Sequence, residues 1–215
     1  MRWQDIPGFF DFQRVYDLAP VFSKNNKFKF LEIGSFLGKS TMYMYELLKS
    51  KNIDMDFNII DTFTGPINGE WTDQDLWKSL NYDPNFSMEP IENFYTLFKD
   101  NMGEAINEIN VFTVPAIEVV DKFPDNYFDF VFIDGDHQIE SVYSDISSCY
   151  PKVRIGGLLG GHDWPGCGHA PEKEQNSIKL GYDKYFANNE YLNHPFIYYN
   201  TCPPWGSWFI VKPEN

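Results

Sequence analysis

Apolar positions along this chain gather into short runs separated by polar stretches of helical length. Residues 28–33, 57–61, 109–114, 128–134 and 153–159 have the length and apolar content of buried strands. Between them, residues 40–51, 91–109, 116–122 and 138–150 have helical length or spacing. Strands alternating with helices predict a parallel, doubly wound α/β sheet, because a parallel pair needs a crossover over one face. Toward the C-terminus, residues 195–200 and 207–211 flank the turn-forming Thr201-Cys202-Pro203-Pro204-Trp205-Gly206. That pattern predicts an antiparallel hairpin completing a mainly parallel seven-stranded sheet.

Residues 65–90 carry Trp71, Trp77, Phe86 and three prolines with no sustained period. Two readings stay open for this stretch, a lid inserted over a site and a surface-packed loop. The chain has no internal repeat, no low-complexity tract and no Gly/Ser linker, so a single domain over residues 1–215 is expected.

Composition narrows the partners. The 215 residues, 43% of them hydrophobic, suffice for one domain with a real core and argue against disorder. Seventeen basic against thirty-one acidic side chains leave a net charge of −14, which repels nucleic-acid phosphates. No apolar run approaches the ~18–20 residues of a membrane span. Asp5 and Pro7 interrupt the start before an export signal could form, so a cytoplasmic location is expected. Cys149, Cys167 and Cys202 lack CxxC spacing and are read as free thiols. His169 and His194 stand alone in loop-like segments and are read as surface residues. These observations leave a small molecule as the expected partner and are compatible with a homo-oligomer.

The run Glu32-Ile33-Gly34-Ser35-Phe36-Leu37-Gly38-Lys39-Ser40 leads from a strand through glycines into a helix. Only three residues separate Gly34 from Gly38, where a phosphate-binding Walker loop needs four. Phe36 occupies the place of the second glycine of a dinucleotide loop. Glu32 suits instead a ligand with a cationic end, and Gly34 has no Cβ to keep a ligand away. Twenty-seven positions after Gly34, Asp61 ends the second strand, where a carboxylate can accept ribose hydroxyls. Alternatively, the glycines serve only a tight turn and Asp61 only caps the following segment.

The fourth strand ends in Asp134-Gly135-Asp136-His137 and the fifth leads through Gly156-Gly157 to Gly161-His162-Asp163-Trp164. Neighbouring parallel strands lie ~4.8 Å apart, so these groups can converge. The glycine loop, Asp61-Thr62-Phe63-Thr64-Gly65 and the two acid–histidine clusters resemble the motifs of class I S-adenosylmethionine-dependent methyltransferases, in particular the small-molecule and sugar O-methyltransferases. The resemblance covers about residues 28–164 and implies a Rossmann-like fold with a terminal hairpin. It implies cofactor contacts from Glu32, Gly34, Ser35, Gly38, Asp61, Thr62, Ala116 and Asp134, with Ala116 beside the adenine.

By the same resemblance, Asp134, His162 and Asp163 hold a divalent metal. The sequence departs from that pattern at His162, where an acid is usual. Imidazole suits Mn²⁺, Fe²⁺ or Zn²⁺ better than Mg²⁺. Without a metal, His137 or His162 would deprotonate a substrate hydroxyl, with Asp134 beside them. The blander alternative is that Asp136 caps a helix and His162 only hydrogen-bonds a loop. The expected activity is methyl transfer from S-adenosylmethionine to a hydroxyl of a small polar acceptor such as a sugar, with Trp71, Trp77 and Trp164 available to stack on it. Two rivals remain open: a metal-dependent hydroxylase or hydrolase on the same fold, and a non-catalytic interaction domain.

Overall fold

A computed structural model of the chain describes residues 1–23, 27–64, 92–166, 176–187, 196–202 and 205–214. Its sheet comprises β1 (Lys27–Ile33), β2 (Asp54–Ile60), β3 (Asn110–Phe112), β4 (Phe128–Ile133), β5 (Val153–Trp164), β6 (Phe196–Cys202) and β7 (Trp205–Val211). The strand order is β3-β2-β1-β4-β5-β7-β6. The first five strands pair in parallel, and β7 runs antiparallel to both β5 and β6. The order reverses between β1 and β4, and doubly wound sheets bind ligands at such a switch point, outside the carboxyl ends of the strands.

The strands alternate because both faces are covered. Phe28 and Phe30 of β1, with Phe57, Phe130 and Phe132, face one core layer. This layer is closed by α1 (Gln13–Leu18), α2 (Lys39–Ser50) and α3 (Glu92–Met102). Leu31, Ile33, Val131, Ile133 and Leu159 face the other. There α4 (Ala116–Val119), α5 (Ile139–Cys149) and α6 (Ser177–Phe186) complete the packing. β4 is buried along its whole length, Asp129 included. That carboxylate is balanced by Arg154 Nε at 2.6 Å and by the Lys29 N–H at 2.9 Å, as a buried charge requires.

Several boundaries differ from those the pattern predicts. The strand expected at 153–159 continues to Trp164, because the antiparallel neighbour β7 pairs with Leu158–Gly161 and again at Trp164. β3 holds only three residues. The helix expected at 91–109 stops at Met102, where Gly103 takes φ +52°, and continues as the 3₁₀ segment Gly103–Glu108. The helix expected at 116–122 likewise passes from α4 into the 3₁₀ segment Val120–Lys122. Neither α1 nor α6 is predicted by the apolar pattern. The lid or loop reading for 65–90, with Trp71 and Trp77, lies outside the described residues, as do Cys167, His169 and His194. Cys149 is a buried free thiol. Among the described residues no helix is long and apolar enough to cross a membrane.

Candidate active site

From β1 the chain turns through Gly34 (φ +81°) and Gly38 (φ +90°) into α2. An ideal Cβ on Gly34 would lie 2.0 Å from the carbonyl oxygen of Asp134. One on Gly38 would lie 3.1 Å from Met102 Sδ and from the Phe98 ring. The space at Gly34 is therefore taken by the end of β4, not kept open for a ligand as the sequence suggested. Backbone hydrogen bonds fasten the same junction: Gly34 N–H donates to the Ile60 carbonyl at 2.9 Å, and Asp134 N–H donates to the Ile33 carbonyl at 2.8 Å.

Asp61 leaves β2 beside this loop. Its Oδ2 accepts the N–H groups of Ser35 and Phe36, each at 2.8 Å, and its Oδ1 accepts the Phe63 N–H at 2.7 Å. Burial raises the carboxyl above its ordinary range, and the amides oppose that rise. The side chain thus shapes the glycine loop directly. Oδ1, with one amide donor, still has lone-pair capacity for a hydroxyl. Thr62 Oγ1 lies 2.8 Å from Thr64 Oγ1 beside it. Ala116 is buried at the first position of α4, where a backbone N–H has no helical partner.

Glu32 turns away from this edge. Its carboxylate is fully buried and accepts Ser40 Oγ at 2.5 Å, Thr41 Oγ1 at 2.6 Å and the Tyr16 hydroxyl at 2.8 Å. The sequence placed Glu32 against a cationic ligand; in the structure three hydroxyls occupy it. Burial pushes its pKa up to about 7.

At the ends of β4 and β5 the structure brings Asp134, His137, His162 and Asp163 together. Asp163 has φ +54°, a left-handed conformation that Asp tolerates better than most residues. Its Oδ2 lies 2.8 Å from His137 Nε2 and its Oδ1 lies 3.4 Å from His162 Nδ1. Asp134 Oδ1 approaches the same His162 Nδ1 at 3.7 Å. One donor atom from each of Asp134, His162 and Asp163 falls within a mutual 4.8 Å, a spacing suited to a metal ion.

The electrostatics of the cluster are those of a cation site. Burial disfavours a charged His162, yet Asp11, Asp134 and Asp163 outweigh it and raise the imidazole to about 11. Burial raises Asp134 to about 6 against the pull of His162. For Asp163 burial acts upward too, but the two imidazoles hold its carboxyl well below the usual range. His137 is raised, since Asp163, Asp134 and Asp136 overcome its burial. Asp134, Gly135, Asp136, His137, His162 and Trp208 are among the residues that line a small pocket.

Two neighbours have other roles. Asp136 turns back on the start of α5, accepting Ser141 Oγ at 2.6 Å and the Gln138 N–H at 3.3 Å. Trp164 packs edge-on to Tyr182 at 5.6 Å and against Trp208 at 6.3 Å, so its ring belongs to an aromatic cluster and not to a stacking platform. Two site neighbours were not anticipated. Asp11 lies 2.8 Å from His162 Nε2, and Tyr16 reaches Glu32 from the same N-terminal segment. The available signal was a lone acid inside Phe9-Phe10-Asp11-Phe12, a charge among aromatics that calls for a buried partner.

The fold is that of a Rossmann-like α/β methyltransferase domain. The chain belongs to the methyltransferase-domain family, whose model matches residues 31–164. A sequence search among curated proteins finds no match. Among solved structures, the chain is similar to the O-methyltransferase NovP, with 16% identity and TM-score 0.59 over 94% of this chain and 78% of that one. It is also similar to a putative caffeoyl-CoA O-methyltransferase from Staphylococcus aureus, at 16% identity, TM-score 0.57 and coverage of 97% and 87%. A third is the S-adenosylhomocysteine-bound methyltransferase PaMTH1 of Podospora anserina, at 12% identity, TM-score 0.53 and coverage of 86% and 72%. At these identities the likeness speaks for the fold.

Proposed function

We propose that the protein transfers a methyl group from S-adenosylmethionine to a hydroxyl of a small polar acceptor. The observation that carries this reading is the convergence of Asp134, His137, His162 and Asp163 beside the glycine loop and Asp61, at the sheet's switch point. The fold shared with NovP and with PaMTH1 supports the same chemistry. Family membership weighs against a hydrolase, a hydroxylase or a scaffold.

Bound cofactor supplies an electrophilic methyl on its sulfonium. Asp61 Oδ1 would accept a ribose hydroxyl, the Gly34–Gly38 loop would take the amino-acid end, and the Ala116 amide would be available to the adenine. Asp134, His162 and Asp163 would hold a divalent cation of the Mg²⁺, Mn²⁺ or Fe²⁺ class, which would lower the charge cost at the acceptor oxygen. The donor set fits, because a nearly buried imidazole between carboxylates is an environment that stabilises positive charge. His137 is the proton acceptor. Its side chain is 34% exposed against 11% for His162, which makes it the more accessible imidazole, and Asp163 Oδ2 lies 2.8 Å from its Nε2. As the O–CH₃ bond forms, the S–CH₃ bond breaks, the hydroxyl proton passes to His137 and Asp163 stabilises the resulting imidazolium. Alignment of oxygen, methyl and sulfur supplies much of the acceleration, ~7–11 kcal/mol where geometry is favourable.

Titration calorimetry with S-adenosylmethionine and S-adenosylhomocysteine, with and without chelator, tests the reading. Micromolar binding is expected for both, together with chelator-sensitive release of S-adenosylhomocysteine when small polyols, sugars and phenols are offered. Absence of binding to either compound overturns the proposal.

A further inference from the structure

The N-terminal segment runs from the glycine loop to the acid–histidine cluster. Gly8, at φ +135°, lies against the loop, since an added Cβ would stand 3.8 Å from Lys39 Cβ and from Phe36 Cδ1. Three residues later Asp11 Oδ1 stands 2.8 Å from His162 Nε2. Burial alternates between these two points. Phe10 and Phe12 are buried with their rings 4.8 Å apart, and they are anchored by Tyr43 and by Phe132 of β4. Successive residues of an extended stretch point to opposite sides, so Phe9 and Asp11 share the side away from that core. Phe9 is 59% exposed. Isolated exposed apolar residues are common. This one is fixed by buried neighbours, in the interval between the loop that would take the cofactor's amino-acid end and the groups that face the acceptor.

We propose that Phe9 is an acceptor-binding residue, whose ring packs on the apolar face of a cyclic hydroxyl compound while the acceptor's hydroxyl lies in the acid–histidine cluster. The shared chemistry is a flat or weakly puckered ring with an apolar face, which a phenol and a sugar ring both present. An open-chain polyol has no such face and gains little from an aromatic partner. Phe9 thereby takes the part that the sequence offered to Trp164, whose ring is committed to Tyr182 and Trp208. The proposal rests on the methyltransferase reading for the identity of the acceptor and narrows the class of that acceptor. Phe9 precedes the family-matched segment, which begins at residue 31, so this wall of the site comes from outside the region that carries the family resemblance.

Saturation-transfer NMR on the full chain tests this, with catechol, methyl β-glucopyranoside and sorbitol titrated in the presence and absence of S-adenosylhomocysteine. Wild type should bind at least one of the two ring compounds and bind it more tightly than sorbitol; which ring binds separates a phenolic from a sugar acceptor. Phe9→Ala changes an exposed side chain and should keep the wild-type urea midpoint. Its dissociation constant for the ring compound should rise about tenfold and return toward wild type in Phe9→Tyr, which keeps the aromatic face. No ring binding by wild type, sorbitol binding as tight as that of the rings, or an unchanged ring affinity in Phe9→Ala overturns the proposal. Calorimetry with S-adenosylmethionine runs beside it. An equal loss of cofactor affinity in Phe9→Ala would show that Phe9 serves the cofactor, and would refute the assignment. Failure of wild type to bind the cofactor at all overturns the methyltransferase reading instead, and ring binding by the cofactor-free protein then decides the role of Phe9.

Discussion

Replacing Gly34 by alanine tests how the glycine loop is built. Two costs add there. At φ +81° an L-residue is in the left-handed region, which costs ~1–2 kcal/mol for a non-glycine residue. The new Cβ would also stand 2.0 Å from the Asp134 carbonyl oxygen and 2.9 Å from Gly135 Cα. These are backbone atoms, so relief requires the end of β4 to move by more than an ångström, and overpacking of this kind costs a further ~1–3 kcal/mol. The sum, ~2–5 kcal/mol, is a large part of the ~5–15 kcal/mol that stabilises a typical domain. Gly103 supplies the control, because it has φ +52° with nothing within 4 Å of an added Cβ. Gly103→Ala should therefore show the dihedral cost alone. Urea denaturation of both variants measures the difference, and calorimetry with S-adenosylmethionine shows whether the displaced Asp134 takes cofactor affinity with it. Equal losses for the two variants would refute the claim that close approach of β4 is what demands glycine at position 34.

Other predictions concern the charged groups. Asp61→Ala removes the acceptor of three loop amides, and with charge-assisted hydrogen bonds contributing ~1.5–3 kcal/mol each it should weaken S-adenosylmethionine binding more than tenfold by calorimetry. Burial raises Glu32 and Asp145 each to about 7, above their unfolded values, so the folded state holds extra protons and stability should fall as pH rises from about 4 to 7. Asp145→Asn should match wild type near pH 4 and be the more stable protein at pH 8, by up to ~4 kcal/mol at 1.36 kcal/mol per unit, as read from urea midpoints across that range. His137→Gln should lower kcat by ~10²–10⁴ and leave cofactor affinity unchanged; retention of full kcat would remove it as the proton acceptor. Asp134→Asn should make the residual methyl transfer insensitive to chelator, while circular dichroism reports a native fold.

Much of the fold was legible because its signals are local. Apolar runs such as Phe128–Ile133, six residues buried without interruption, read as strands wherever they occur, and the alternation with helices implies parallel pairing. Gly34, Asp61, Asp134 and the His162–Asp163 pair were equally visible, since each stands at the end of a strand and parallel strands deliver their ends to one edge. Less legible were α1 and α6, because short helices held by tertiary packing have little periodicity of their own.

What the sequence by itself determined is therefore the set of groups at the sheet edge and the class of fold that gathers them. Direction and partnership were decided only by tertiary structure. Glu32 and Asp61 look alike as acids beside glycines. Packing by Tyr16, Ser40 and Thr41 turns the first inward, and the Ser35 and Phe36 amides bind the second to the loop. The Cβ space of Gly34 belongs to Asp134, one hundred positions away, and His162 is gripped by Asp11 from the other end of the chain. Such contacts leave no local signal, because a hydrogen bond or a steric limit depends on distance in space, and only the folded sheet brings residues 11, 34, 134 and 162 within reach of one another.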